Sequence, residues 1–300
     1  MVIIQVAGGL GNQLQQYALY RKFLSLSKEA KLDLSWFMDE HTGENITGRT
    51  LELDYFEGLP YVACTPQEKA EMVGNSGLTG KLRRKLLPGT VRRFEESAIY
   101  HEDIFEKEDC YLSGYFACEK YYGDILPALR REIRFPVSKN PANHEMAGRM
   151  ENCESVSVHI RRGDYLNAQN AAMFGGICTR DYYDSAIAFM KKKLENPHFF
   201  LFSDDPVYAG SQYQGPEYTV VDINRGADSF YDMWLMSRCS HNICANSTFS
   251  FWGARLNENA DKIMIRPTKH KNSQPFLWEE MKRLWDGWNF VSPEGTVYEK

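Results

Sequence analysis

The chain has 300 residues and a formal net charge of -5, because 35 lysines and arginines stand against 40 aspartates and glutamates. This length suffices for one large domain or for two of about 150 residues each, and we predict two. The acidic balance argues against a broad polyanion-binding surface, so nucleic acid is not an expected partner. An anionic ligand should instead meet a local site.

The seven cysteines are odd in number, scattered and without a CxxC pair, which argues against both a disulfide framework and a zinc site. The chain also has no DxD and no His, Cys, Asp or Glu set at metal-ligand spacing, so no metal or other cofactor is expected. No basic region precedes the short apolar run at the amino terminus, and no window of about 18 apolar residues occurs. We therefore expect a cytoplasmic protein whose membrane contact, if any, is peripheral.

The amino-terminal part predicts a strand, turn, helix, strand unit, formed in order by "MVIIQV", "GGLGNQ", "QLQQYALYRKFLSLS" and "AKLDLSWF". Residues from about 41 to 100 are rich in loop signals and contain six clustered basic residues: Lys81, Arg83, Arg84, Lys85, Arg92 and Arg93. This basic cluster has two interpretations that stay open. It is either a solvated helix face or a contact with an anionic membrane surface or glycan carrier.

The remaining elements alternate between strand and helix. "CYLSGYFACEKYYGDILPALRREIRF" predicts a strand, a turn and an amphipathic helix, and the weakly patterned stretch from about 136 to 153 predicts a domain boundary. Strands at "SVSVHIR", "HFFLFS", "EYTVVD", "HNICA" and "KIMIRP" then alternate with helices at "TRDYYDSAIAFMKKKLE", "DSFYDMWLMSRC" and "SFWGARLN". This order predicts an α/β fold of two Rossmann-like domains facing a cleft, residues 1–145 and 146–300.

Ligands of open α/β sheets bind at the carboxyl ends of the strands, so the residues just after each strand carry the functional signal. In "HIRRGDY", the guanidinium groups of Arg161 and Arg162 match phosphate or carboxylate oxygens with paired charged hydrogen bonds. One of them should face an anion. For Arg162, the alternative is a structural pair with Asp164.

Two further strand ends add polar groups. "ANSTFS" leads a strand into a helix, and the first-turn N–H groups of that helix and the hydroxyls of Ser247 and Thr248 can bind phosphate. Ordinary N-capping by one of these residues would account for one of the two hydroxyls, but not for both. "SDDP" places Asp204 and Asp205 before Pro206. One of these acids either caps a helix that begins at the proline or binds the N1–H and N2–H₂ edge of guanine. Together, these loops predict a site for a nucleoside diphosphate.

The "GGLGNQ" turn must be weighed as a dinucleotide fingerprint, because Gly9 and Gly11 follow a strand and Asp33 lies about 20 residues on. The fingerprint fails at its third glycine, where Leu14 stands. Asn12 and Gln13 instead offer amide groups to hydroxyls or phosphate oxygens. A nicotinamide-dependent dehydrogenase is the lesser alternative, beside a sugar-nucleotide-binding protein without turnover.

Five blocks in this order, "GGLGNQLQQYAL", "GYFACEKYY", "VSVHIRRGDYL", "FLFSDD" and "ANSTFSFWGARLN", resemble the signature of the bacterial α-1,2-fucosyltransferases, glycosyltransferase family 11. The blocks span most of the chain, from residue 3 to about 257. The chain departs from the family at Gln15, where Phe is usual; we expect a change on the helix face that leaves the loop intact.

The resemblance implies a GT-B fold, GDP-β-L-fucose as donor, a terminal β-galactoside as acceptor and inverting transfer to its 2-hydroxyl without a metal. The acceptor would be a galactose-terminated oligosaccharide or a lipid-linked glycan of the cell surface. It further implies that Arg161 meets the diphosphate, that Asp204 recognises guanine and that the Ser247 to Phe249 turn holds the phosphates.

The resulting site assignment combines the strand-end loops with the family pattern. The candidate catalytic residues are Arg161, Asn12, His159 and Asp164, the last as the nearest general base in sequence. The candidate donor-binding residues are Gly9, Gly11, Asn12, His159, Arg161, Arg162, Ser203, Asp204, Asp205, Asn246, Ser247, Thr248 and Phe249.

Overall fold

The computed structural model describes residues 1–38, 50–73, 92–163 and 168–300. The chain divides into two compact units, Met1–Pro136 and Val137–Lys300. The sequence placed the boundary between residues 145 and 146. That point falls inside a helix, Pro141–Glu151, which begins because Asn140 accepts a hydrogen bond from the N–H of Ala142 and Pro141 occupies the first helical position.

The first unit is built on a four-stranded sheet of order β2-β1-β4-β3, in which every strand pair is parallel. Its strands are β1 Val2–Gln5, β2 Ala30–Asp33, β3 Arg93–Glu95 and β4 Cys110–Ser113. Its described α-helices are α1 Leu10–Ser25, α2 Pro66–Val73 and α3 Leu126–Glu132. The predicted strand, turn, helix, strand unit at the amino terminus is therefore confirmed, with helix α1 beginning earlier than expected, at Leu10.

The second unit is built on a seven-stranded sheet of order β11-β10-β9-β8-β5-β6-β7, parallel except at the β10–β11 pair. Its strands are β5 Ser155–Ile160, β6 His198–Ser203, β7 Tyr218–Val221, β8 His241–Ile243, β9 Met264–Pro267, β10 Trp288–Val291 and β11 Val297–Tyr298. Its described α-helices are α4 Pro141–Glu151, α5 Ala168–Phe174, α6 Arg180–Lys193, α7 Pro206–Gln212, α8 Phe230–Arg238, α9 Thr248–Leu256 and α10 Trp278–Leu284.

Strand β5 shows why alternating apolar residues in the sequence predicted a strand in this unit. Val156, Val158 and Ile160 lie in one buried apolar cluster together with Tyr182 and Ala186 of α6. The intervening residues of the strand face the other side of the sheet, because successive strand side chains alternate between its faces. The predicted α/β class with two parallel-sheet units is confirmed.

Candidate active site

The second sheet has a topological switch point between β5 and β8. From β5 the chain continues to β6 and β7 on one side, and it then returns to β8, β9 and β10 on the other. Val158 of β5 and Ile243 of β8 are register partners, so the loops that follow these two strands are neighbours. Ligands of open α/β sheets bind at such a point. The "HIRRGD" and "ANSTF" loops are thus brought to one place, as the sequence predicted.

Arg161 is held by the acid that follows the next strand. Its Nη1 lies 2.8 Å from Oδ2 of Asp204, and Oδ1 of the same carboxylate accepts a 2.9 Å hydrogen bond from the N–H of Arg162. A Cβ added at Gly163 would overlap Oδ2 of Asp204. Both oxygens of Asp204 therefore contact the arginine loop, and each keeps only part of its acceptor capacity for a guanine edge.

Asp205 has the capping role that one of the paired acids was expected to have. Its Oδ1 accepts a 3.0 Å hydrogen bond from the N–H of Tyr208, and Pro206 begins helix α7. Its Oδ2 lies 3.3 Å from Nε of Arg162, whose guanidinium lies 3.6 Å from the centroid of the Tyr208 ring. Arg162 is therefore paired with Asp205, and Asp164, its predicted alternative partner, lies outside the described residues.

A cavity of about 310 Å³ opens beside the switch point, near the lower end of the usual range for small-molecule sites. Arg161 and Arg162 line it together with Tyr183, Tyr208, Tyr213 and Arg180.

Arg180 is a residue of this cavity that the sequence analysis did not identify as a site residue. Its Nε lies 2.8 Å from both oxygens of Asp184, and its guanidinium lies 4.5 Å from the ring centroid of Tyr213. The signal that could have found it is the Thr179 cap, which fixes Arg180 at the first position of helix α6.

The "ANSTF" turn differs from expectation in its capping. Ser247 occupies the N-cap position of helix α9, but its side chain makes no capping hydrogen bond. Capping by one of the two hydroxyls of the turn was the structural alternative, and at the N-cap position itself no side-chain capping bond supports it. The turn, with Ser247, Thr248 and Phe249 all half-buried, lies at the carboxyl edge of the sheet, where the positive end of the α9 dipole favours an anion.

Two predicted donor-binding side chains instead tie loops together. The Nδ2 of Asn246 donates to the carbonyl oxygens of Phe174 and His270, at 3.1 and 3.2 Å, and its Oδ1 accepts from Sγ of Cys178 at 3.4 Å. The hydroxyl of Ser203 donates to the carbonyl oxygen of Ile160 at 2.7 Å. Asn246 still borders the cavity, but these contacts occupy the polar groups of both side chains.

His159 is a buried neutral imidazole. Burial in β5, together with the nearby positive charge of Arg161, lowers its pKa to about 3. Its ring lies 6.0 Å from that of Phe249, and its Nδ1 has no hydrogen-bond partner among the described residues. His159 therefore adds no positive charge to the site at neutral pH.

The glycine loop of the first unit is shaped by a different glycine from the two assigned to the donor. Gly8 adopts a φ of +81°, and a Cβ there would lie 2.7 Å from Nδ2 of Asn12. Gly9 has a φ of -81° and precedes helix α1, which contains Gly11 and Asn12 in its first turn. Sequence reasoning placed these residues in a loop, and the earlier start of the helix corrects that.

The amide of Gln13 is not open to a ligand. Its Nε2 donates to the carbonyl oxygens of Gly8 and Thr50, both at 2.9 Å, and its Oε1 accepts from the N–H of Glu52 at 2.8 Å. The side chain is fully buried. Gln13 therefore anchors the 50–52 segment, in contrast to the hydroxyl or phosphate contact that the sequence suggested.

Asp33 bears on the dehydrogenase alternative. The fingerprint needs an acid free to bind a ribose. The Asp33 carboxylate is buried and contacts Nζ of Lys69 at 2.8 Å, the hydroxyl of Tyr111 at 2.6 Å and the N–H of Ser35 at 3.0 Å. These contacts lower its pKa against the opposing effect of burial. Asp33 is thus a structural carboxylate.

Neither a metal cluster nor a membrane span is found in the described parts of the chain. Residues 1–38, 50–73, 92–163 and 168–300 contain no group of three or more His, Cys, Asp or Glu side chains placed to hold a metal ion. The same ranges contain no helix long and apolar enough to cross a bilayer.

This arrangement, with guanidinium groups and a helix start at the switch point of a parallel sheet, can hold the negative charge of a phosphorylated ligand. The model of Glycosyl transferase family 11 matches residues 99–292, and the chain belongs to this family. The protein is therefore a glycosyltransferase.

The chain is similar in sequence to three named glycosyltransferases. It is 32% identical over 292 residues to the O-antigen biosynthesis glycosyltransferase WbnK of Escherichia coli, covering 88% of this chain and 93% of that protein. It is 31% identical over 276 residues to an alpha-1,2-colitosyltransferase of Escherichia coli, covering 89% and 91%. Galactoside alpha-(1,2)-fucosyltransferase 1 of Oryctolagus cuniculus is 30% identical over 166 residues, covering 52% of this chain and 44% of that protein.

Proposed function

We propose that the protein transfers L-fucose from GDP-β-L-fucose to the 2-hydroxyl of a terminal β-galactoside, with inversion, during synthesis of O-antigen or another surface glycan. The observation that carries this proposal is the position of Arg161 at the switch point of the second sheet, beside the start of α9, in a chain of family 11. The names of the relatives support an α-1,2 linkage.

In this reaction the bond between fucose C1 and the β-phosphate oxygen breaks, and a bond forms between C1 and the acceptor O2. The proton of that hydroxyl is lost to a base, and GDP leaves with the electron pair. Positive charge grows on the sugar ring while negative charge grows on the diphosphate. Groups that bind this charge more strongly in the transition state accelerate the step.

Arg161, oriented by Asp204, is the group we assign to the leaving diphosphate. Arg162, with its guanidinium on Tyr208, and the N–H groups at the start of α9 would bind the remaining phosphate oxygens. His159 would act as a neutral donor or acceptor. With these groups bearing the charge, the proposal needs no metal ion and no other cofactor.

Asn12 and Asp164 keep the roles given to them by the sequence. Asn12, in the first turn of α1, would orient donor and acceptor. Asp164 is the proposed general base for the acceptor hydroxyl, with a position outside the described residues.

The proposed setting is the cytoplasm, at the inner face of the membrane when the acceptor is a lipid-linked glycan. Most of the basic cluster, for which contact with a membrane surface or glycan carrier was one of two interpretations, lies outside the described residues. Its two described members, Arg92 and Arg93, are exposed, and Nη1 of Arg92 lies 3.0 Å from Oδ2 of Asp109.

The direct test is incubation of the protein with GDP-fucose and a set of β-galactosides, with product linkage determined by NMR. GDP-colitose, whose sugar is fucose without its 3-hydroxyl, is the comparison donor, and a parallel reaction contains a chelator. We expect an α-1,2-fucosyl galactoside, formed equally well with the chelator present. Faster transfer from GDP-colitose would overturn the donor assignment, and binding of GDP-fucose without turnover would favour a non-catalytic binding protein.

A further inference from the structure

Tyr115 is an exposed aromatic residue on an otherwise buried loop. It follows β4 in the sequence "GYFAC", at the carboxyl edge of the first sheet, and 53% of its surface is exposed. The next residue, Phe116, is fully buried and lies 6.0 Å from the ring of Tyr121. Among the described residues, the Tyr115 side chain has no hydrogen bond or ring partner.

The Tyr115 loop adjoins the glycine loop of the same unit. Strands β1 and β4 are parallel neighbours, with Val2 opposite Cys110. The amide of Gln16 joins the loops that follow them, since its Oε1 accepts from the N–H of Ala7 at 2.9 Å and its Nε2 donates to the carbonyl oxygen of Gly114 at 2.9 Å. Tyr115 therefore lies beside the loop that carries Gly8 and Gly9 and leads into helix α1, whose first turn contains Asn12.

The backbone of Tyr115 is held by hydrogen bonds although about half of the residue's surface is exposed. Oε2 of Glu96 accepts hydrogen bonds from the N–H groups of Tyr115 and Phe116, at 2.8 and 2.9 Å. A Cβ at Gly114 would lie 2.5 Å from Cβ of Glu96, so this contact needs a glycine. Phe116 adopts a φ of +49°, a left-handed conformation that is unfavourable for a bulky residue.

Backbone strain of this kind persists where the surrounding structure imposes it, and it concentrates at functional sites. Here Phe116 enters the core in this strained conformation, and the neighbouring Tyr115 remains about half exposed to solvent. We propose that Tyr115 is the stacking platform for the terminal galactose of the acceptor. This inference rests on the proposed function, which supplies the galactoside.

The chemistry of β-galactose fits this role. Its axial 4-hydroxyl leaves the C–H groups of C3, C4 and C5 together on one face of the ring, and the electron-rich face of an aromatic ring attracts their partial positive charge. The tyrosine hydroxyl can hydrogen-bond a sugar hydroxyl at the edge of the stack. Asn12, in the first turn of helix α1, then lies on the same side of the unit as the bound acceptor.

The test compares Tyr115→Ala with Tyr115→Phe, which keeps the ring. We expect Tyr115→Ala to raise the acceptor KM about tenfold, the scale of one lost aromatic contact, and Tyr115→Phe to stay near wild type. The KM for GDP-fucose in acceptor-free hydrolysis should be unchanged in both. Val62→Ala, at a side chain of the first unit that is also 53% exposed, is the matched control for loss of surface apolar area.

Saturation-transfer NMR with a β-galactoside, in the presence of GDP, measures the contact without turnover. Galactose H3, H4 and H5 should receive saturation from wild type and from Tyr115→Phe, and should lose it with Tyr115→Ala. Unchanged acceptor KM and unchanged saturation in Tyr115→Ala would overturn the inference while leaving the proposed function intact. Failure of wild type to transfer fucose, with saturation of the galactoside still dependent on Tyr115, would overturn the proposed function and retain the platform.

Discussion

The guanidinium of Arg161 and the carboxylate of Asp204 form an ion pair 2.8 Å long at the carboxyl ends of β5 and β6. About a quarter of each side chain is exposed, so the pair is only partly screened by solvent. The acid that the sequence offered for guanine recognition is thus the partner of the arginine offered for the diphosphate.

The first prediction concerns Asp204→Asn, which keeps the size of the side chain and removes its charge. A hydrogen bond to a charged group contributes about 1.5–3 kcal/mol, so we expect kcat/KM for GDP-fucose to fall roughly 10- to 100-fold. The preference for GDP over inosine diphosphate, which lacks the N2 amine, should be unchanged in calorimetric titrations. Loss of that preference in the variant would show instead that Asp204 binds the base.

The second prediction concerns Arg161→Lys, which keeps the charge and loses the planar fork. We expect kcat to fall at least about 100-fold, because two parallel hydrogen bonds to the leaving diphosphate become one point contact. Arg238→Lys is the matched control, since Arg238 forms an exposed ion pair with Glu151 outside the site. Similar kcat values for the two variants would remove Arg161 from the leaving-group role.

The third prediction uses the close approach of Gly163 to Asp204. We expect Gly163→Ala to weaken GDP binding, because its Cβ would displace the Asp204 carboxylate from Arg161. In an Asp204→Ala background that overlap is gone, so the same substitution should cost much less, which a double-mutant cycle measures as coupling. Gly148→Ala, in the interior of α4 with open space around the new Cβ, should leave binding unchanged. Equal costs of Gly163→Ala in both backgrounds would contradict the geometry.

The fourth prediction is a loss of stability in acid caused by two buried histidines. Burial lowers the pKa of both His159 and His270 to about 3. The unfolded chain takes up these protons below about pH 6.5 while the folded protein does not, so stability falls as the pH drops from there towards 3. Each histidine should cost about 2 kcal/mol at pH 5 relative to pH 7.5.

Denaturant unfolding at those two pH values measures this loss. His159→Gln and His270→Gln should each reduce the difference between the two pH values by about 2 kcal/mol, and the double variant by about twice that. A pH difference that neither substitution changes would mean that these imidazoles are charged in the folded protein.

The fifth prediction concerns Gln15, which is fully buried and whose two amide atoms have no hydrogen-bond partner among the described residues. Because an unsatisfied buried polar group costs about 1–3 kcal/mol, Gln15→Leu should raise the free energy of unfolding by an amount of that order. Gln13→Leu is the matched control on the same helix, and it should destabilise the protein because Gln13 makes three hydrogen bonds. Destabilisation by both variants would show that Gln15 has a partner of its own.

Gln15 also shows how a local pattern can mislead. The sequence suggested a change on the helix face, but helix α1 is buried on nearly all sides, and amphipathic spacing alone does not reveal this. Burial is a property of what packs against the helix. The elements joined to α1 by packing are distant in sequence, so one segment does not encode its own exposure.

The sequence by itself determined the two-part α/β fold, the strands β5 to β9 and the loops that contain Arg161, Asp204 and Ser247. Alternating apolar residues, glycines and prolines are local signals, and parallel strands place their carboxyl ends at one edge. Only the tertiary structure decided what those side chains contact. Asp204 pairs with Arg161, His159 is neutral, Asp33 accepts a hydrogen bond from Tyr111, and Tyr115 is exposed. Each of these states depends on neighbours that strand pairing and packing bring from elsewhere in the chain.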